Sequence, residues 1–321
     1  MQLNSPEEAL LEDENFVLDG LGRYSLGRSL LEASNIDEQL EAEKLLGHLP
    51  MGATGQMLLK QQCDAAQKVK ERASAYWLDY AHELPTQTIA VDVAMPWGQV
   101  QVTAEISALR QPLNPISHSD DLDHSGQVLQ SVPTLQITTR PGAVATGQRD
   151  QQSARADILI QLWPQHVLLC AAGWQIQSVV VGLDGVTVLQ PLTEQVAKKL
   201  LTQWLMVYAQ AWTQPLPVTF KAGLAFVSEQ ISLQRAGYEV ANEVSDVLSG
   251  VLSQEAITEL ALDKASKEFS DDFSENTDFA RSLYVQRSFD HFDGLAKGLP
   301  IWAPLLYEDL IHAATMEGDG A

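Results

Sequence analysis

The chain has 321 residues, 45% hydrophobic and 19% charged, a composition that supports a buried core and one large domain or two modest ones. Forty-two acidic against twenty basic residues give a formal charge of −22, so the surface repels phosphate backbones and an unaided grip on DNA is not expected. No apolar run approaches the roughly eighteen residues of a membrane span, the acidic start has no signal-peptide pattern, and the two cysteines, Cys63 and Cys170, suit core positions in a cytoplasmic protein.

Residues 1–15 are polar and acidic and are expected to form a flexible N-terminal segment. Asp19-Gly20 leads into a helix near Leu26 to Ala33, and a second follows from Ile36 to Leu46. A longer helix is predicted from Thr54 to Trp77, with Thr54 as its cap and Met57, Leu58, Ala66, Val69 and Ala73 as its apolar stripe. Ile89, Val91, Val93 and Met95 then alternate with polar or small residues. After Pro96-Trp97-Gly98 the alternation resumes at Val100, Val102, Ala104, Ile106 and Ala108, which predicts a hairpin. Residues 112–133 break both periodicities and read as a loop.

Leu135 to Thr139 is a third strand, ended by Pro141-Gly142. A helix from Ala154 to Ala172 is expected to kink or divide at Pro164. Ser178 to Gln190 forms a second hairpin, turning at Asp184-Gly185. From Thr193 to Thr213, apolar residues recur every four positions at Val196, Leu200, Trp204, Tyr208 and Trp212. Pro217 to Phe220 is a short strand candidate. Helices are then predicted over Tyr238 to Phe269, Asp278 to Phe289 and Ile301 to Ala314.

The fold class is therefore α/β (α+β), with an α/β domain over residues 16–215 and a mostly helical C-terminal extension over 216–321. The order from Thr54 to Leu183 is helix, strand, strand, strand, helix, strand (αβββαβ), the order of the PD-(D/E)xK nuclease core.

Several motifs are missing. There is no GxxxxGK[ST] loop, no HExxH and no GxSxG. Gly20-Leu21-Gly22 begins a dinucleotide-binding pattern, but Ser25 stands where its third glycine belongs. Asp121, Asp123, Ser125 and Gly126 follow the spacing of a calcium loop, yet Val132 occupies the position of the bidentate carboxylate. The segment His118 to Gly126 therefore reads as a polar inserted loop. Trp204, Tyr208 and Trp212 read as a core stripe rather than a base-stacking platform. His166 and His312 read as core or boundary residues.

Other stretches carry a resemblance. Phe16-Val17-Leu18-Asp19-Gly20-Leu21-Gly22-Arg23-Tyr24-Ser25-Leu26 is similar to an F-x-L-D-G-L-x-R-Y-x-L segment. Leu49-Pro50-Met51-Gly52-Ala53-Thr54-Gly55 matches L-P-x-G-x-x-G and is followed by Gln62-Cys63. Arg140-Pro141, Gln161-Leu162-Trp163, Val167 to Ala171, Asp184-Gly185 and Lys264-Ala265 continue the match in order. From about residue 10 onward the chain resembles the C-terminal part of the exodeoxyribonuclease V gamma subunit (RecC) family.

The resemblance implies a fragment of a larger subunit within a three-subunit helicase–nuclease that processes double-strand DNA ends for recombinational repair. It implies alpha (RecD) and beta (RecB) partner subunits, DNA contact only in the assembled complex, and ATP and magnesium used by the complex with no cofactor in this segment. It also implies a fold like the beta subunit's nuclease domain. Active relatives hold metal through a carboxylate on the second core strand and a D-x-K on the third. Here Ala104-Glu105-Ile106-Ser107 places Ser107 at the first position, and Thr138-Thr139-Arg140 leaves Thr138 and Arg140 at the second. Magnesium needs anionic oxygens that hydroxyls do not supply, so no catalytic or metal residues are expected. The enzymatic alternative is an active nuclease with relocated carboxylates, drawn from Asp92, Glu105, Asp120 and Asp121. A free-standing binding protein that shares the fold is a third reading. Phe269, Asp271, Asp272 and Phe273 are assigned to a partner-docking surface, where acids steer a basic partner.

Overall fold

The computed structural model describes residues 18–46, 49, 52–113, 132–146, 153–243, 253–271 and 274–318. The N-terminal helices start at side-chain caps. Asp19 accepts from Gly22 N at 2.7 Å and starts α1 (Gly20–Glu32) earlier than the expected Leu26. Asn35 caps α2 (Ile36–Leu45) in the same way. The third helix, α3 (Gly52–Asp79), buries Leu59, Ala66, Val69 and Ala73, whereas Met57, expected in the stripe, faces solvent.

After β1 (His82–Glu83), the predicted hairpin is present as β2 (Gln87–Met95) and β3 (Gly98–Ile106), paired from Gln87↔Ile106 to Met95↔Gly98. It forms a two-stranded sheet of its own. The expected strand to Ala108 breaks at Ser107, and Ala108 takes a left-handed φ of 60°, uncommon for a residue with a Cβ. Beyond that bend β4 (Leu109–Gln111) leaves the hairpin and pairs with both β1 and β5 (Thr134–Thr139).

A short pair, β6 (Ala145–Thr146) and β7 (Ser153–Ala154), precedes α4 (Ala156–Ala171). That helix runs through Pro164 without dividing. Then come β8 (Ile176–Val181), β9 (Gly185–Leu189) and α5 (Glu194–Ala211). The Pro217 to Phe220 segment is not a strand. Phe220 opens α6 (Phe220–Glu243), whose Ala222 N donates to Asp278 Oδ2 at 2.9 Å. A cap supplied from so far along the chain leaves no local signature.

The expected helix from Tyr238 to Phe269 is two helices, α6 and α7 (Gln254–Phe269), the latter capped by Ser253. Likewise, Asp278 to Phe289 divides at Ser282 into α8 (Asp278–Arg281) and α9 (Leu283–Ser288), with Ser282 capping α9. The chain continues through α10 (Asp293–Ala296) and α11 (Leu299–Ala313) into β10 (Ala314–Gly318), a strand absent from the sequence reading.

The main sheet has the order β1-β4-β5-β8-β9-β10, with β5 and β8 parallel and the other pairs antiparallel. Strand alternation sorts its two faces. Leu135, Ile137, Val179, Val181, Val186 and Val188 pack with α1 and α3. Ile176, Val180 and Leu189 pack on the other side, with α4, α5, α6, α11 and the β2–β3 hairpin. The fold is mixed α+β, and β10 brings the C-terminal segment back into the same sheet.

Candidate functional site

The site builds on where the two strand positions of interest fall. Antiparallel pairing sets Leu109 opposite Gln136 and Arg110 opposite Leu135. Ile137 N donates to Ala108 O at 3.0 Å, so the contact reaches the bend that follows Ser107, one residue before Thr138. Both are exposed.

Just beyond, the Arg140 guanidinium donates to Asp157 Oδ2 at 3.1 Å and stands 5.9 Å over the Tyr24 ring. Arg155 donates to the same carboxylate at 3.0 and 3.3 Å. Burial pushes the Asp157 carboxyl up. The hydrogen bonds and charges of Arg155 and Arg140 outweigh that and hold it below its ordinary 3.8. Two guanidiniums around one carboxylate leave a positive centre beside two hydroxyls. Among the described residues, no three His, Cys, Asp or Glu side chains come together as a metal-holding group.

Of the alternative carboxylates, the two among the described residues stand apart. Asp92 pairs across the hairpin with Gln101 and Glu105 with Thr88. They are therefore four residue steps apart along the hairpin, about 13 Å at 3.3 Å per residue. Asp120 and Asp121 lie outside the described residues, as does the whole His118 to Gly126 run.

The segments singled out by spacing meet around this site. Tyr24 lies under Arg140, and a Cβ on Gly27 would come within 2.6 Å of Pro141 Cβ. Asp184 accepts from Val144 N at 2.7 Å and Ala145 N at 3.2 Å, fixing the backbone after Pro141-Gly142. From α3, Arg72 donates to Gly182 O and Leu183 O at 2.7 and 2.6 Å. These residues shape and anchor the strand ends.

Phe269 does not belong on a docking surface. It is 1% exposed, and its ring packs 5.7 Å from Phe279 and 5.8 Å from Phe292, so its apolar area is already spent within the fold. Asp271 is exposed, while Asp272 and Phe273 lie outside the described residues. Tyr208 and Trp212 are also misplaced by the sequence reading: they are 60% and 76% exposed and meet edge to face at 5.9 Å. His312 is exposed. His166 is buried as expected, and burial pushes the buried Cys170 thiol up to about 11.

The sequence reading missed a cleft of about 770 Å³ between β7, β10, α6 and α7. Its lining runs from Ala145 to Met316, so no local pattern signals it.

The sequence model of the RecC C-terminal domain matches residues 1–231. The RecBCD enzyme subunit RecC of Escherichia coli (strain K12) is 26% identical over 236 residues, which cover 71% of this chain and 17% of that subunit. The chain thus spans about a sixth of the length of the curated relative it matches.

Proposed function

This chain belongs to the RecC C-terminal domain family, and from that premise we propose that it is a non-catalytic, nuclease-like segment of the gamma subunit in a RecBCD-type helicase–nuclease. In that assembly it binds the alpha (RecD) and beta (RecB) subunits, helps shape the channels for separated DNA strands, and serves double-strand break repair by recombination in the cytoplasm. The complex uses ATP and magnesium, and this segment holds neither.

The observation that carries the non-catalytic reading is that hydroxyls, Ser107 and Thr138, stand exposed at the two strand positions, with the Arg140–Asp157–Arg155 group two residues beyond Thr138. With β1, β4, β6 and β7 as additions and the β2–β3 hairpin in a sheet of its own, the order α3, β2, β3, β5, α4, β8 is the support for a PD-(D/E)xK-like ancestry. A nuclease centre whose carboxylates are replaced by hydroxyls, and whose neighbour is a guanidinium held by Asp157, keeps the scaffold without the chemistry. The separation of Asp92 from Glu105 disfavours a relocated active centre.

The test has two arms. The purified chain, given magnesium and linear single-stranded DNA, is expected to leave the DNA intact. Coexpressed with alpha and beta subunits, a gamma subunit carrying this segment is expected to copurify with both, and one lacking it to lose the alpha subunit. Nuclease activity abolished by a point change within residues 92–140 overturns the first arm. Undiminished alpha-subunit binding without the segment overturns the second.

A further inference from the structure

The cleft reverses the charge of the chain. Among the described residues, Arg155, Lys221, Lys264 and Arg281 line it against Asp157 and Glu268, four cations to two carboxylates, whereas the whole chain has 20 basic and 42 acidic residues. Between these charges Leu159, Leu224, Ile311 and Met316 supply apolar lining. A second hollow of about 340 Å³ shares Ser228 and Ile311 with the first and adds Ile231 and Arg235.

The two hollows make one groove along α6. Lys221, Leu224, Ser228, Ile231 and Arg235 recur at three- and four-residue steps, which places them on one helix face. Lys221 and Arg235 are fourteen residues apart, about 21 Å at 1.5 Å per residue. That length accommodates roughly six residues of extended peptide.

The cations divide by availability. Arg155 is held by Asp157, and Lys221 donates to the Asn276 side-chain oxygen and main-chain carbonyl. Lys264, Arg281 and Arg235 are exposed and form no ion pair within the described residues. Within the described residues they are spaced cations over an apolar lining with no carboxylate paired to them.

We infer that this groove binds an extended, acidic, amphipathic peptide segment of a partner protein. Its carboxylates meet Lys264, Arg281 and Arg235, and its apolar residues cover Leu224, Ile231 and Ile311. Single-stranded DNA fits less well. Among the described residues, no aromatic side chain lines either hollow for base stacking. Asp157 and Glu268 also interrupt the phosphate path, and the −22 field opposes a long polyanion more than a peptide of few charges. The inference goes beyond the function proposed above and concerns the chain alone, so it stands or falls whether or not the alpha and beta subunits bind.

The experiment measures fluorescence anisotropy of a short labelled peptide of alternating glutamate and leucine, and of a labelled oligothymidine, on the full chain. Saturable peptide binding is expected, weakened about tenfold by Lys264→Glu with Arg281→Glu and further by salt. It should be unchanged by the control Lys60→Glu on α3. The paired Lys264→Ala, Arg281→Ala variant gives the same readout with less charge change, and circular dichroism checks that both variants stay folded. Absence of saturable peptide binding overturns the inference. So does equal affinity in wild type and folded variants, or a loss confined to oligothymidine.

Discussion

His166 and Ser178 tie α4 to the centre of the sheet: Nδ1 lies 2.9 Å from the Ser178 Oγ, with Nε2 3.0 Å from the Gln190 carbonyl. A carbonyl only accepts, so Nε2 carries the proton of the neutral ring, and Nδ1 faces the Ser178 oxygen. The Ser178 hydroxyl donates to Gln136 Oε1 at 3.0 Å, and Trp163 stacks on the imidazole at 5.7 Å. Polar groups at the middle of the sheet are thereby paired where water cannot reach them.

Acid should act on this pair. Burial pushes His166 down to about 4 from its ordinary 6.5, against a smaller opposing effect of the Gln190 carbonyl. Between these values the unfolded chain binds a proton that the folded chain refuses, so stability falls as pH drops from about 6.5 to about 4. The loss should reach about 2 kcal/mol by pH 5. Urea unfolding of wild type and His166→Gln at pH 7 and pH 5 checks this. The variant should lack that component, and an equal pH response in both would refute it.

Asp157→Asn should cost about 1 kcal/mol at pH 7, because a half-exposed carboxylate shared by two guanidiniums is worth little more than a good surface pair. The folded carboxyl is held below its ordinary 3.8. Its contribution is therefore complete above that value and fades as pH falls through the lower folded one. Melting curves of the two proteins should separate at pH 7 and approach each other below about pH 3.8.

Gly223 makes room for the Tyr307 ring. A Cβ there would lie 2.5 Å from Cε2 of a ring that is itself buried between α6 and α11. Gly223→Ala should cost about 1–3 kcal/mol through overpacking. Combined with Tyr307→Leu, the added cost of the alanine should shrink. Denaturation midpoints of the four proteins in that cycle decide it; a Gly223→Ala penalty that is the same in both backgrounds means the ring is not the obstacle.

Trp212 and Trp163 should answer differently to the same truncation. Trp163 is 3% exposed within the core, whereas Trp212 is 76% exposed. Trp163→Ala should cost about 3–5 kcal/mol and Trp212→Ala less than about 0.5 kcal/mol. A large loss at Trp212 would mean that its side chain is covered in solution.

The periodicity of α5 illustrates what a sequence pattern leaves open. A residue every four positions advances 400°, and each step drifts 40° from a straight face. Val196, Leu200, Trp204, Tyr208 and Trp212 therefore wind around the helix, so Leu200 is buried while Trp212 has turned out to solvent. A stripe that looks continuous in the sequence is a partial spiral in space.

Local patterns by themselves determined much of this protein. Alternation from Ile89 to Met95 and Val100 to Ile106 specified the hairpin and its turn, because a period of two can bury only one face. The side chains at Ser107, Thr138 and Arg140 were enough to raise the expectation of a site without metal ligands, because residue type alone sets which oxygens are anionic. Tertiary structure alone decided the rest. The bend at Ala108 sets which strand the chain pairs with next, and Asp278 caps α6 from 56 residues away. The basic groove draws its lining from residues as distant as Arg155 and Met316. In each case the deciding contact joins groups far apart along the chain, and no local periodicity carries information about an encounter that only packing brings about.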